Sequence, residues 1–202
     1  MMQKSLFKNP KNMRVLVACE YSGIVRDAFT DRGHDAWSCD ILETESKGNH
    51  IVGDVLEILD DGWDLMIAHP PCTHLSVTGQ RWFVEGKKDP KLKEDAIEFV
   101  KKLMNAPIDK ICIENPRSVI SSYIRPANQT INPYQYGHLE CKATCLWLKN
   151  LPKLKPTKNV KSETMLLPRK EKHRIWWIGG GTGKERSKFY TGFAQAMAEQ
   201  WG

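Results

Sequence analysis

The sequence predicts an α/β fold, an open and mostly parallel sheet with helices on both faces. Strand-like apolar runs alternate with helical patterns through the first two thirds of the chain, the order that builds parallel sheets through crossover connections. The runs at residues 14–19 (RVLVAC) and 64–68 (DLMIA) are continuous rather than alternating, as expected of strands buried on both faces. Acids follow successive runs at Glu20, Asp40 and Asp54, and open sheets bind ligands at the carboxyl ends of their strands.

In order, residues 1–12 read as a loose tail and 13–202 as one domain. After the first strand, Glu20, Tyr21, Ser22 and Gly23 make a turn, with Ser22 a candidate N-cap. Ile24, Val25, Ala28 and Phe29 then recur at helical spacing up to a stop at Arg32-Gly33. A second strand is expected at 35–40 and a third at 50–53, followed by a short helix around 55–59. The fourth strand, 64–68, runs towards Pro70-Pro71, which stiffen the chain and end it. The polar segment 73–80 reads as a mobile loop and 84–93 as a charged lead-in. An amphipathic helix follows, with Ala96, Ile97, Phe99, Val100, Leu103 and Met104 on one side, then a fifth strand at 110–114. Residues 143–148 and 173–178 read as two further strands joined by a Lys- and Pro-rich connection, 149–172. The closing helix, 190–201, carries Phe193, Ala194, Met197, Ala198 and Trp201 on a common face.

Composition bounds the function. With 202 residues, 41% apolar and 27% charged, the chain is expected to be a soluble, cytoplasmic protein with a real core. Neither a signal peptide nor a membrane-length apolar run is evident. Basic residues outnumber acidic ones by 30 to 24, a moderate excess that suits a polyanionic partner. Of the six cysteines, Cys19, Cys39, Cys112 and Cys145 lie in or beside strand-like runs and read as reduced core thiols, without disulfides.

The chemistry concentrates in two stretches. Cys72 follows Pro70-Pro71 directly, so its thiol sits on a stiffened turn at a strand's carboxyl end, where a nucleophile is well placed. A lone cysteine is also commonly a buried structural residue, and the second stretch, 109–116 (DKICIENP), decides between the two. Glu114 and Asn115 end the fifth strand, which the simplest topology lays beside the fourth. A carboxylate there can bond a pyrimidine ring nitrogen and, when protonated, donate to it, making the ring a better electrophile for thiolate addition at carbon 6.

Pro70-Pro71-Cys72 with Ser76, and Glu114-Asn115 one strand later, resemble the carbon-5 cytosine-specific DNA methyltransferase family. The resemblance covers most of 14–148 and implies a Rossmann-like class I S-adenosylmethionine-dependent methyltransferase fold. It implies Cys72, Pro71, Glu114, Asn115 and Lys142 as catalytic residues. It also implies S-adenosylmethionine contacts at Glu20, Tyr21, Ser22, Gly23, Asp40, Ile41, Asp54, Val55, His69, Pro70, Gly192 and Ala194, with no metal. Asp40 would accept from ribose hydroxyls and Asp54 would meet an adenine amino group. The implied partner is DNA, its target cytosine flipped out of any duplex.

The chain departs from the family's pattern in several places. Its glycine-rich first turn is reduced to CEYSG, with a single Gly23. Its two-arginine strand entrance is reduced to Lys142, and Phe193 stands where Asn is usual after Gly192. Only 149–172 is available where family members carry a large target-recognition domain. Two other readings therefore stay open: the same chemistry on a free cytidine nucleotide or RNA, and a non-catalytic binding protein on a methyltransferase scaffold.

Several look-alikes lack essential parts. The glycine run at 179–184 resembles a phosphate loop, but Ile178 and Glu185 stand where Gly and Ser/Thr are needed. His138-x-Glu140 resembles a zinc deaminase without its Pro-Cys-x-x-Cys, and His138, Cys141 and Cys145 fit no common zinc spacing. His69-Pro-Pro-Cys72 also resembles the loop of amino methyltransferases, but Cys72 with Glu114 favours attack on a ring carbon.

Overall fold

The computed structural model describes residues 12–178 and 188–202. The tail before Asn12 and the glycine run at 179–184 lie outside the described residues. The expected fold class is the one observed, a Rossmann-like α/β sheet that is mostly parallel. Seven strands are ordered β3-β2-β1-β4-β5-β7-β6. They are β1 (Arg14–Ala18), β2 (Asp35–Asp40), β3 (His50–Val52), β4 (Leu65–Ala68), β5 (Lys110–Pro116), β6 (Gln129–Ile131) and β7 (Thr144–Lys149). The first five run parallel, while β7 is antiparallel to both β5 and β6. The strand order reverses between β1 and β4, the switch point at which doubly wound sheets open a crevice for ligands.

Alternation along the strands divides the core into two layers. Val15, Val17, Leu65, Ile67 and Cys112 face one way, towards Val25 and Phe29 of α1 (Ile24–Thr30) and Phe193, Met197 and Trp201 of the closing helix Thr191–Trp201. Leu16, Ala18, Met66, Ile111, Ile113 and Trp147 face the other way, towards Ile97, Val100 and Leu103 of the helix Pro90–Met104. Successive strand residues point to opposite faces, so a strand covered on both sides must be apolar throughout. Asp89 caps the Pro90–Met104 helix by accepting from Lys91 N at 2.9 Å.

Three expectations need correction. Residues 173–178 form no strand; Arg174–Trp177 is a short helix, with Trp176 and Trp177 exposed. The place beside β7 is taken instead by β6, whose QTI is too short and polar to read as a strand without its partner. The polar segment after Cys72 is docked rather than mobile. Leu75 is buried, Val119 N donates to its carbonyl at 2.9 Å, and Val77 N donates to Arg117 O at 3.1 Å. Gln80 Nε2 donates to the carbonyls of His74 and Ser76, and Arg81–Val84 is a short helix. Finally, Ser22 is not the N-cap of α1. That place belongs to Gly23 at φ 73°, where a Cβ would strike Ser46 Oγ and the Arg26 guanidinium.

Candidate functional site

Three adjacent parallel strands, β1, β4 and β5, deliver Glu20, His69 and Glu114 to one end of the sheet. Cys19 closes β1 in the left-handed region, φ 59°, and so turns the chain sharply. Glu20 is thereby buried, and its carboxylate accepts from Val25 N at 2.7 Å, Arg26 N at 3.2 Å and Ser22 Oγ at 3.2 Å. Its oxygens satisfy N–H groups that the first turn of α1 leaves without helical partners. Burial raises the Glu20 carboxyl, opposed by the nearby His69 charge and by those N–H donors.

Beyond Ala68 the β4–β5 register continues into side chains. Ala68 lies opposite Ile113, and the next residues meet as His69 and Glu114, with Nδ1 to Oε2 at 3.1 Å. One step further, Asn115 Nδ2 donates to Pro70 O at 2.8 Å. Neither Pro70 nor Pro71 offers an N–H for a continued ladder, so this side-chain bond replaces strand pairing. His69 Nε2 and Asn115 Oδ1 are buried polar atoms without a partner among the described residues. Phe189 packs on the His69 ring, centroids 4.6 Å apart.

Cys72 is exposed, immediately past the two prolines, and its carbonyl accepts from Leu75 N and Ser76 N. No disulfide joins any of the six cysteines. Burial, with Asp40 nearby, pushes the Cys19 thiol up to about 12. Cys39 rises to about 11 for the same reasons, and Cys112 is driven up by full burial beside Glu114. These thiols stay protonated and unreactive at neutral pH.

Asp40 and Asp54 both lie close enough to Cys19 to act on it, so the ends of β1, β2 and β3 do converge. Asp40 Oδ1 accepts from Leu42 N at 3.0 Å, and Asp54 Oδ1 from Leu56 N at 3.0 Å. Between and beyond them, Ile41 is exposed and Val55 buried. Tyr21 is buried, with Glu45 N donating to its carbonyl.

Lys142, Gly192 and Ala194 belong to a second cluster, linked to His69 through Phe189 and Phe193. Lys142 Nζ lies 5.7 Å over the Tyr190 ring, Tyr190 OH donates to Glu140 Oε2 at 2.7 Å, and Arg174 Nε donates to Glu140 Oε1 at 2.8 Å. Gly192 N donates to His138 Nε2 at 2.9 Å, and a Cβ on Gly192 would fall on the Tyr136 carbonyl oxygen. Ala194 is buried in the core. Sequence reasoning missed the His69–Glu114 bond, the Phe189 lid on it, and Glu140. The only signal for the first was that both residues directly follow a strand's last apolar residue.

The His138 bond carries a pH prediction. Burial lowers the His138 pKa, against a smaller upward pull from Glu140, and burial also lowers that of His34. Unfolded, both rings take a proton near 6.5, so the stability they carry is complete above that pH. It is lost as pH falls from there towards the lower folded values. The melting temperature should therefore drop between pH 7 and pH 5, and His138→Gln, whose amide oxygen can still accept from Gly192, should flatten part of the drop.

A cleft of about 450 Å³ lies at the opposite end of the sheet, bordered by Met104, Ile111, Arg125, Trp147 and Lys149. Its cations are already engaged, Arg125 on the Leu148 carbonyl, Lys149 on those of Ala106 and Ile108, and Lys101 on Glu98. Among the described residues no group of His, Cys, Asp and Glu could hold a metal ion.

No protein-family model matches the chain, and no curated protein matches its sequence. Among solved structures, it is similar to a prophage-encoded E. coli protein described as a candidate DNA modification methyltransferase, at 14% identity and a TM-score of 0.47. That match covers 78% of this chain but only 56% of the other, so the chain spans little more than half the length of its structural neighbour. The likeness is one of chain path, and nothing about activity follows from it.

Proposed function

We propose that the protein transfers a methyl group from S-adenosylmethionine to carbon 5 of cytosine in DNA. The observation that carries this reading is the junction of β4 and β5, where an exposed thiol on a Pro-Pro turn is tied by Asn115 to the strand that presents Glu114. Cys72 adds to carbon 6 while Glu114, in its acid form, donates to ring nitrogen 3. The negative charge this moves towards carbon 5 makes that carbon the methyl acceptor. A base then removes the carbon-5 proton, and the sulfur–carbon bond breaks to release Cys72.

The residues at the switch point fit the cofactor. Tyr21–Gly23, Asp40 and Asp54, at strand ends that converge on Cys19, would hold its nucleoside end. Glu20 is already committed to capping α1. When bound, the cofactor supplies the methyl group.

A polymer substrate is favoured over a free nucleotide by the surface beside Cys72. Arg81 and Lys87 flank the Trp82 ring at 4.5 and 4.7 Å, and Lys88 and Lys93 flank Phe83 at 5.6 and 5.4 Å. Lys88 Nζ also donates to Thr73 O at 3.4 Å, next to the thiol. A row of basic side chains neutralises the phosphates of a strand, a contact that a single nucleotide is too short to span. The test is incubation with labelled S-adenosylmethionine and cytosine-containing DNA, single and double stranded, followed by mass spectrometry for 5-methylcytosine. Label in free nucleotide or RNA alone would move the substrate. Cofactor binding without turnover on any of them would leave only the scaffold reading.

A further inference from the structure

We propose that His69 is a positioning residue for Glu114, holding one carboxylate oxygen so that the other is presented to the target ring. The inference rests on the cytosine reading above. A glutamate at a strand end has freely turning terminal torsions, and a group that must meet a ring nitrogen within hydrogen-bond distance gains from being held still. His69 supplies that hold at 3.1 Å, with both side chains nearly buried, at 12% and 11% exposure. The Nδ1 that faces a carboxylate carries the hydrogen, so it is the donor and Oε2 the acceptor.

The hold is itself braced. His69 N donates to Ala18 O at 2.9 Å, fixing the backbone to β1, and Phe189 covers the ring. The titratable groups facing the imidazole are Glu114 from β5 and Glu20 from the turn after β1. Glu20 is occupied by the N–H groups of α1, so Glu114 is the carboxylate left for His69 to orient. In consecutive register, Asn115 pins the carbonyl of Pro70. One cross-strand bond thus places the turn that carries the nucleophile, and its neighbour places the acid that activates the electrophile.

The experiment compares His69→Asn, His69→Gln and His69→Ala in adduct formation with 5-fluorocytosine DNA at saturating S-adenosylmethionine. The Asn amide nitrogen sits where Nδ1 does and can still donate to Glu114, whereas the Gln amide lies one carbon further out. His69→Asn should keep the rate within about threefold of wild type, while His69→Gln and His69→Ala should lose about tenfold or more. The KM for S-adenosylmethionine should stay within about twofold throughout, because a positioning role acts on rate rather than on cofactor binding. Equal losses in His69→Asn and His69→Ala, at unchanged melting temperature, would overturn the proposal. So would a raised KM with full rate at saturation, which would make His69 a cofactor ligand. A wild-type protein that forms no adduct and methylates no cytosine would instead sink the cytosine reading, and this inference with it.

Discussion

DNA carrying 5-fluorocytosine is expected to trap the protein as a covalent adduct, and Cys72→Ser to abolish the trap while leaving cofactor affinity nearly unchanged. Fluorine at carbon 5 cannot leave as a proton would, so the sulfur–carbon bond cannot break once the methyl group has been added. The Pro-Pro turn positions the sulfur but does nothing to acidify it; in the proposed mechanism activation comes from the electrophile, through Glu114. A serine oxygen in the same place is a far weaker nucleophile without an adjacent base to activate it. Nor can a neighbouring thiol stand in, since Cys19 and Cys39 are held protonated by burial, at about 12 and about 11. The proposed cofactor side of the site, at Tyr21–Gly23, Asp40 and Asp54, is built from other strand ends and should not register the change. The readout is a band shift on a denaturing gel. An adduct that survives Cys72→Ser would identify another nucleophile and remove the Pro-Pro-Cys turn from the mechanism.

The largest effect on stability is expected at Arg26. Its guanidinium is fully buried, a rare state for arginine, and it is satisfied on every side. Nη1 donates to Ser38 Oγ at 3.1 Å and Thr44 Oγ1 at 3.3 Å; Nη2 donates to Ser46 Oγ and to Lys47 O at 3.2 Å; Asp27 pairs with it at 2.7 Å. Arg26→Ala would strand these acceptors and open a void. The expected loss is about 3 kcal/mol, or a melting temperature lower by about 10 °C for a chain of this size. Asp27→Asn should cost far less, because Asp27 is 42% exposed and water can replace it. Thermal unfolding checks both, and a shift of only a degree or two for Arg26→Ala would mean that loop 44–49 holds itself together without the guanidinium.

How far the sequence carried the fold depended on whether an element's identity was local. β1, β4 and β5 are continuous apolar runs bounded by turn residues, and being buried on both faces leaves them no other composition. β6 is three residues long, and only β7 beside it makes it a strand. The run from His173 to Ile178 has the apolar content of a strand, yet its backbone bonds close on themselves as a helical turn. The site divides in the same way. Cys72, Glu114 and Asn115 were legible as residue types at strand ends. The His69–Glu114 bond depends on register between strands separated by two helices and the loops around them, which no local pattern encodes. That Glu20 turns back to cap α1 was not legible either, because its direction is set by the left-handed Cys19.

The strand β6 lies at the outer edge of the sheet, where open N–H and C=O groups would invite another chain to pair. Beside that edge, Gln129 reaches off the face of the sheet to the segment after β7. Its amide nitrogen donates to Leu154 O at 2.7 Å and its amide oxygen accepts from Leu154 N at 2.8 Å. Gln200 repeats the pair on Lys155, at 2.9 and 2.8 Å. Two side chains thus impersonate a neighbouring strand and bind the segment after β7 along the flank of the sheet. The stretch that looked like a linker acts as a hem, stitched to both the sheet and the closing helix. A module grafted between Leu151 and Lys155 would unpick that hem.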